Sequence, residues 1–98
     1  MKIDINSLDW KKFRDGASIK SLTNEGIQVD LVKLEPNVQF DEHVHAEAEW
    51  MYVLSGEFRD KEGVYSKGIF VSNKKESKHA TKSGEKGCSI LVIKLEKS

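Results

Sequence analysis

An all-β fold is what this sequence predicts, and three observations predict it. Short runs rich in Val, Ile, Leu, Phe and Tyr recur along the chain, turn-forming residues separate them at roughly 8–12-residue spacing, and helical patterning is almost absent. Taken in order, the one helical signal is a turn or two over Ser7–Phe13, where Ser7 could cap and Leu8 could pack. Asn24-Glu25-Gly26 reads as a turn, after which Ile27, Val29 and Leu31 alternate with polar partners and Val32 and Leu34 fill the other parity. Pro36-Asn37 makes the next turn. Trp50–Leu54 reads as a strand closed by Ser55-Gly56, and Asp60-Lys61-Glu62-Gly63 as a hairpin turn. Ile69-Phe70-Val71 is a strand followed by the turn signal Ser72-Asn73-Lys74-Lys75. Ser83-Gly84-Glu85-Lys86-Gly87 reads as a last turn before the strand Cys88–Ile93.

Ninety-eight residues make one domain, 1–98, near the lower end of what a single core sustains. Hydrophobic residues are 38% and charged residues 33%, with sixteen acids against sixteen Lys and Arg. That balance fits a globular chain rather than a disordered one. A formal net charge of zero gives no electrostatic case for nucleic acid or an anionic membrane. The longest apolar runs are too short to span a bilayer, and the start, MKIDINSLDW, lacks the apolar segment of a signal peptide. A single cysteine, Cys88, forms no internal disulfide; with no signal peptide, the expected compartment is the reducing cytoplasm. On so apolar a strand its thiol is expected to be buried and inert.

Two of the three histidines, His43 and His45, stand one residue apart, and Glu49 follows. On extended chain an H-x-H pair points to one face, about 6.6 Å apart along the strand. On a helix the two would diverge by about 200°. Glu49 has the same parity but lies about 20 Å from His43 along a straight strand. It reaches a shared ion only if Ala46-Glu47-Ala48 reverses the chain, so that Glu49–Leu54 returns as the second strand of a hairpin. His79 would come from a distant strand. Three imidazoles and a carboxylate suit Fe(II), Zn, Mn, Ni or Cu. Composition alone does not separate this set from an exposed coincidence; the longer pattern around it does.

His43-x-His45-x3-Glu49-x6-Gly56 matches the first motif of the cupin superfamily, except that Asn37 stands where the leading glycine would be. Asn tolerates left-handed backbone better than other non-glycine residues, so the turn is expected to persist. The second motif, G-x5-P-x-G-x2-H-x3-N, is met by Gly68 and His79, while Lys74, Glu76 and Ser83 replace its Pro, Gly and Asn. Within the superfamily the chain resembles the ChrR-like cupins, the C-terminal domains of zinc-dependent anti-sigma factors and their stand-alone relatives, which include acetylacetone-cleaving dioxygenases. The resemblance runs from about Trp10 to Lys97. It rests on Pro36-Asn37, Leu54-Ser55-Gly56-Glu57-Phe58, Asp60-x2-Gly63-x-Tyr65-x2-Gly68 and Gly87-Cys88.

The resemblance implies an RmlC-like jelly roll or barrel of six to eight strands, with His43, His45, Glu49 and His79 converging on one divalent transition metal. The expected function is that of a small metal-binding cupin. It is either an Fe(II)-dependent oxygenase acting on a small oxygenated or dicarbonyl compound, with Glu49 as fourth ligand or base, or a zinc-holding sensory or structural module. Pocket walls are expected from among Trp50, Tyr52, Phe58 and Phe70, with one of Trp50 and Met51 lining the pocket. Few residues precede the first strong strand and they hold no second ligand cluster, so sigma-factor inhibition is not expected. The expected partners are a small molecule and a second copy of the chain, pairing through the Ile3 and Ile5 run.

Overall fold

The computed structural model describes residues 2–41, 43–44, 47–76 and 78–95, with the side chains of His43, Val44, Lys78 and His79 outside the described part. Among the described residues nine antiparallel strands follow a short 3-10 turn, Ile5–Ser7: β1 Lys11–Arg14, β2 Ala17–Thr23, β3 Ile27–Leu34, β4 His43–Val44, β5 Glu49–Asp60, β6 Gly63–Ser66, β7 Phe70–Asn73, β8 Lys78–His79 and β9 Lys82–Leu95. Seven of them form one sheet, ordered β1-β2-β3-β9-β5-β6 with β7 also on β5; β4 and β8 form a second, two-stranded sheet. Among the described residues no helix is long and apolar enough to cross a membrane.

Several boundaries differ from those the sequence suggests. The helical turn lies earlier, at Ile5–Ser7, because the Asp4 carboxylate accepts from Asn6 N and the chain is already extended at Leu8. Lys11 and Lys12 pair instead with Ile19 and Ser18, as the outermost strand of the sheet. Ser55-Gly56 and Ser83–Gly87 are not turns. Both lie inside long strands, β5 and β9, where the β5–β9 register shifts twice. The shifts change parity. Met51 and Val53 are buried at odd positions and Phe58 at an even one, so the bulged segment puts all three on the inner face.

That inner face holds the core: Ala17, Leu34, Met51, Val53, Phe58, Cys88 and Ile90, with Val32, Phe40, Tyr65, Val71 and Val92 packed against it. At the turn after β5, Asp60 Oδ1 accepts from Glu62 N at 2.8 Å and from the Tyr65 hydroxyl at 3.0 Å, while the Tyr65 ring packs 5.0 Å from Phe58. Asn37 does take the left-handed conformation expected of it, with φ 57.

The β4–β8 and β5–β7 ladders share one register. His43 opposes His79 and Val44 opposes Lys78; Glu49 then opposes Asn73 and Tyr52 opposes Phe70. The intervening stretches, 45–48 and 74–77, have equal length, so the two segments form one ribbon interrupted once on each side. Among the described residues β4 pairs with β8 and not with β5; Glu47 is a bend, and Ala46, the first residue of the expected reversal, lies outside the described residues. On the opposite segment Glu76 takes φ 68. Glu76 holds this conformation at the position where the second cupin motif has glycine. A left-handed residue with a Cβ costs about 1–2 kcal/mol, partly offset by glycine's greater chain entropy of about 0.5–1 kcal/mol. Glu76→Gly should therefore raise the melting temperature by a few degrees in calorimetry, at roughly 4–8 °C per kcal/mol. A fall would mean that the Glu76 side chain itself holds the corner.

Candidate functional site

The ribbon that carries the histidine positions is anchored at its base. Asn37 N donates to Gly84 O, Ser83 N to Val38 O and Phe40 N to Thr81 O, and Gln39 bridges Lys82. This ladder shifts by one residue before His43 meets His79. Ser83, fully buried, ties it down: its hydroxyl donates to Glu35 O at 2.6 Å and accepts from Val38 N at 2.8 Å. Serine thus replaces the motif's asparagine with both hydroxyl functions used. Arg14 steadies the same strip from β1, its guanidinium 4.2 Å from the centre of the Phe40 ring and its Nη2 donating to Gln39 O.

Glu49 opens β5, half-buried, opposite Lys94 of β9 and Asn73 of β7. Its side chain lines an open cavity of about 220 Å³ with Phe13, Val32, Leu34, Phe40, Met51, Phe58, Thr81, Ile90 and Val92. Glu49 and Thr81 are the polar residues in an otherwise apolar wall. Of the expected wall residues, Phe58 lines the cavity and Met51 does so rather than Trp50; Tyr52 and Phe70 lie on the opposite, outer face. Phe13, Phe40 and Thr81 escaped the sequence reading. Phe13 sat in the expected helical turn, and Phe40 and Thr81 reach the cavity only through the ladder between their backbones.

On the same inner face, buried Asp30 pairs across to Val92, which pairs on to Met51, one row from Glu49. Its Oδ2 accepts from Gln28 Nε2 at 2.8 Å, and its Oδ1 has no partner among the described residues. His43 and His79 are opposed in register, a relation that sets Cα atoms about 4.5–5.5 Å apart. His45 lies outside the described residues. Among the described residues no three His, Cys, Asp or Glu side chains cluster, the histidine side chains not being part of that set. Cys88 stands apart from the site as an inert core thiol: it is 5% exposed, and burial pushes its pKa from 9.0 to about 11.

An antiparallel sheet curled around an apolar cavity, with a short separate ladder beside it, is the cupin fold. The chain belongs to the ChrR cupin-like domain family, whose model matches residues 1–97. No curated protein matches it in sequence. Among solved structures, it resembles an RmlC-like cupin from Ralstonia eutropha at 20% identity and TM-score 0.87, covering 97% of this chain and 68% of that one. A proposed acetylacetone dioxygenase from Methylibium petroleiphilum aligns at 15% identity and TM-score 0.85, covering 97% and 76%. The complex of Rhodobacter sphaeroides SigE with the anti-sigma ChrR aligns at 18% identity and TM-score 0.79, covering 95% of this chain and 51% of that one. At these identities the likenesses show the fold.

Two tests follow from the geometry. Ser83→Ala leaves the Val38 N–H without its acceptor and the Glu35 carbonyl without its donor, and should cost about 1–3 kcal/mol in urea unfolding. Cys88 favours its neutral form when folded, so its contribution to stability is complete below about pH 9 and is lost as the pH climbs toward about 11. Between about pH 8 and pH 10.5 the urea midpoint should therefore fall more for the wild type than for Cys88→Ala.

Proposed function

We propose that this protein is a metal-binding cupin in which His43, His45, Glu49 and His79 hold one divalent transition ion beside the apolar cavity, and that it acts as an Fe(II)-dependent oxygenase on a small oxygenated or dicarbonyl compound. The observation that carries this reading is the register of the interrupted ribbon. His43 and His79 are opposed, and Glu49 lies on the same continuous register with its side chain lining the cavity. The donor chemistry fits: imidazole and carboxylate together suit Fe(II) or Zn(II), and also Mn, Ni or Cu. When bound, such an ion supplies a Lewis acid with open positions for substrate oxygens and dioxygen.

The chain's own residues supply the rest. The aromatic and aliphatic wall desolvates a small ligand and keeps water from the reacting end. Glu49 lowers the net charge of the centre and offers a carboxylate that can take up a proton. Thr81 is the other polar residue of the wall, and its hydroxyl can orient a carbonyl or hydroxyl of the ligand. A zinc-holding module without chemistry is the second reading, the one that membership of the ChrR cupin-like family suggests.

Purified protein should hold about one transition metal per chain, and His45 and His79 replaced together by Ala should lose it. Ligands drawn from strands distant in sequence bind the native state alone, so at about 100 times the dissociation constant metal adds roughly 2.7 kcal/mol and raises the melting temperature by about 10–20 °C. Chelator competition separates the two readings. In an oxygenase, Glu49→Gln keeps most of the metal while His43→Gln loses it, and the iron-loaded protein consumes oxygen with a diketone. Equal loss in both variants, with no oxygen uptake, supports a closed four-ligand zinc site instead.

A further inference from the structure

Glu49 stands between two hydrogen-bond donors. On the inner face one cross-strand row runs Gln28, Lys94, Glu49 and Asn73 over β3, β9, β5 and β7. The adjacent row runs Asp30, Val92, Met51 and Val71, of which Val92 and Met51 line the cavity. Directly opposed side chains in such rows have Cβ atoms about 4.5–5.5 Å apart, so Lys94 and Asn73 flank Glu49 from either side. Gln28, Lys94 and Asn73 are all half-buried.

Both donors are unused. Asn73 Nδ2 is buried and has no partner among the described residues. The Lys94 ammonium takes part in no hydrogen bond or ion pair among them either. It does not hold Asp30, whose Oδ2 accepts from Gln28 and whose Oδ1 has no partner. A buried amide N–H without an acceptor is costly, and a fold that keeps one beside a cavity is suited to an acceptor arriving from outside.

On the metal-binding reading above, on which this rests, we propose that Lys94 and Asn73 form an anion subsite beside Glu49. The ligand is then a small carboxylate with a second oxygen function, such as a 2-oxo acid, rather than a neutral diketone. Charge selects that occupant. A divalent ion held by neutral imidazoles and one carboxylate keeps a net positive charge, and Lys94 adds to it. The neighbouring wall, Glu49 and Thr81 apart, is apolar, and low polarity strengthens a charge-assisted hydrogen bond made at its edge. At about 220 Å³ the cavity suits a ligand of a few carbons.

Calorimetry on the zinc-loaded protein tests this with 2-oxobutanoate and its uncharged analogue 2,3-pentanedione. The wild type should bind the acid at least about 10-fold more tightly than the diketone. Lys94→Met should weaken the acid about 10–100-fold and the diketone by less than about 3-fold. Lys94→Arg, which keeps the charge, should restore much of the difference, and Lys94→Gln serves if the methionine variant does not fold. Asn73→Ala should weaken the acid about 2–10-fold. Chelator competition should give these variants the zinc affinity of the wild type. A loss of zinc affinity of about 10-fold or more would make Lys94 and Asn73 positioning residues for Glu49 and overturn the subsite. Equal affinity for acid and diketone, or acid binding untouched by the changes at Lys94, would overturn it with the metal reading intact. A wild type that holds no zinc would overturn both readings together.

Discussion

Three backbones meet at one point in this fold, and most of the architecture depends on how closely they approach. A Cβ added at Gly56, which has φ +69, would overlap the carbonyl oxygen of Gly87; one added at Gly87 would overlap the carbonyl of Leu34. Cys88, next along β9, pairs with Leu34 on one side and Gly56 on the other. Only glycine lets β3, β9 and β5 pack this tightly where both β5 and β9 are bulged. The bulges change parity and bend the sheet, so that Phe58 joins Met51 and Val53 on the inner face. Without that change Phe58 would face solvent and the cavity would lose part of its wall.

The candidate site inherits its geometry from a second device. Two segments, 43–52 and 70–79, keep one register through an interruption of four residues on each side. Equal lengths matter because a one-residue difference would move every later side chain to the opposite face. The ladder from Asn37 to Phe40 against Thr81 to Gly84, held by the Ser83 hydroxyl, fixes where the ribbon begins. The chain therefore sets the backbone positions of His43 and His79 by hydrogen-bonded ladders at both ends of the ribbon.

The two faces of the large sheet divide the work. The inner face surrounds the cavity and carries Glu49 and Asp30; the outer face carries Leu31, Leu91, Tyr52 and Phe70 in one row, with Lys20 and Lys33 at its β2 margin. The run Ile90–Ile93 is apolar on both faces, with Ile90 buried and Leu91, Val92 and Ile93 half-buried. That property makes β9, paired on both edges, the centre of the sheet.

The sequence by itself determined the fold class, the family and the residue types of the candidate site. Period-2 alternation and turn residues are local signals, and the spacing of His43, His45, Glu49 and Gly56 is a property of the linear chain. It also determined the Asn37 turn, because left-handed backbone selects among few residue types. Only the tertiary structure decided that Ser55-Gly56 and Ser83–Gly87 are bulges inside strands, since turns and bulges draw on the same residues. It decided that β4 pairs with β8 rather than β5, because pairing partners far apart in sequence leave no local trace. It also decided that Phe13, Phe40 and Thr81 line the cavity, since each is brought there by a strand or ladder formed with a distant part of the chain.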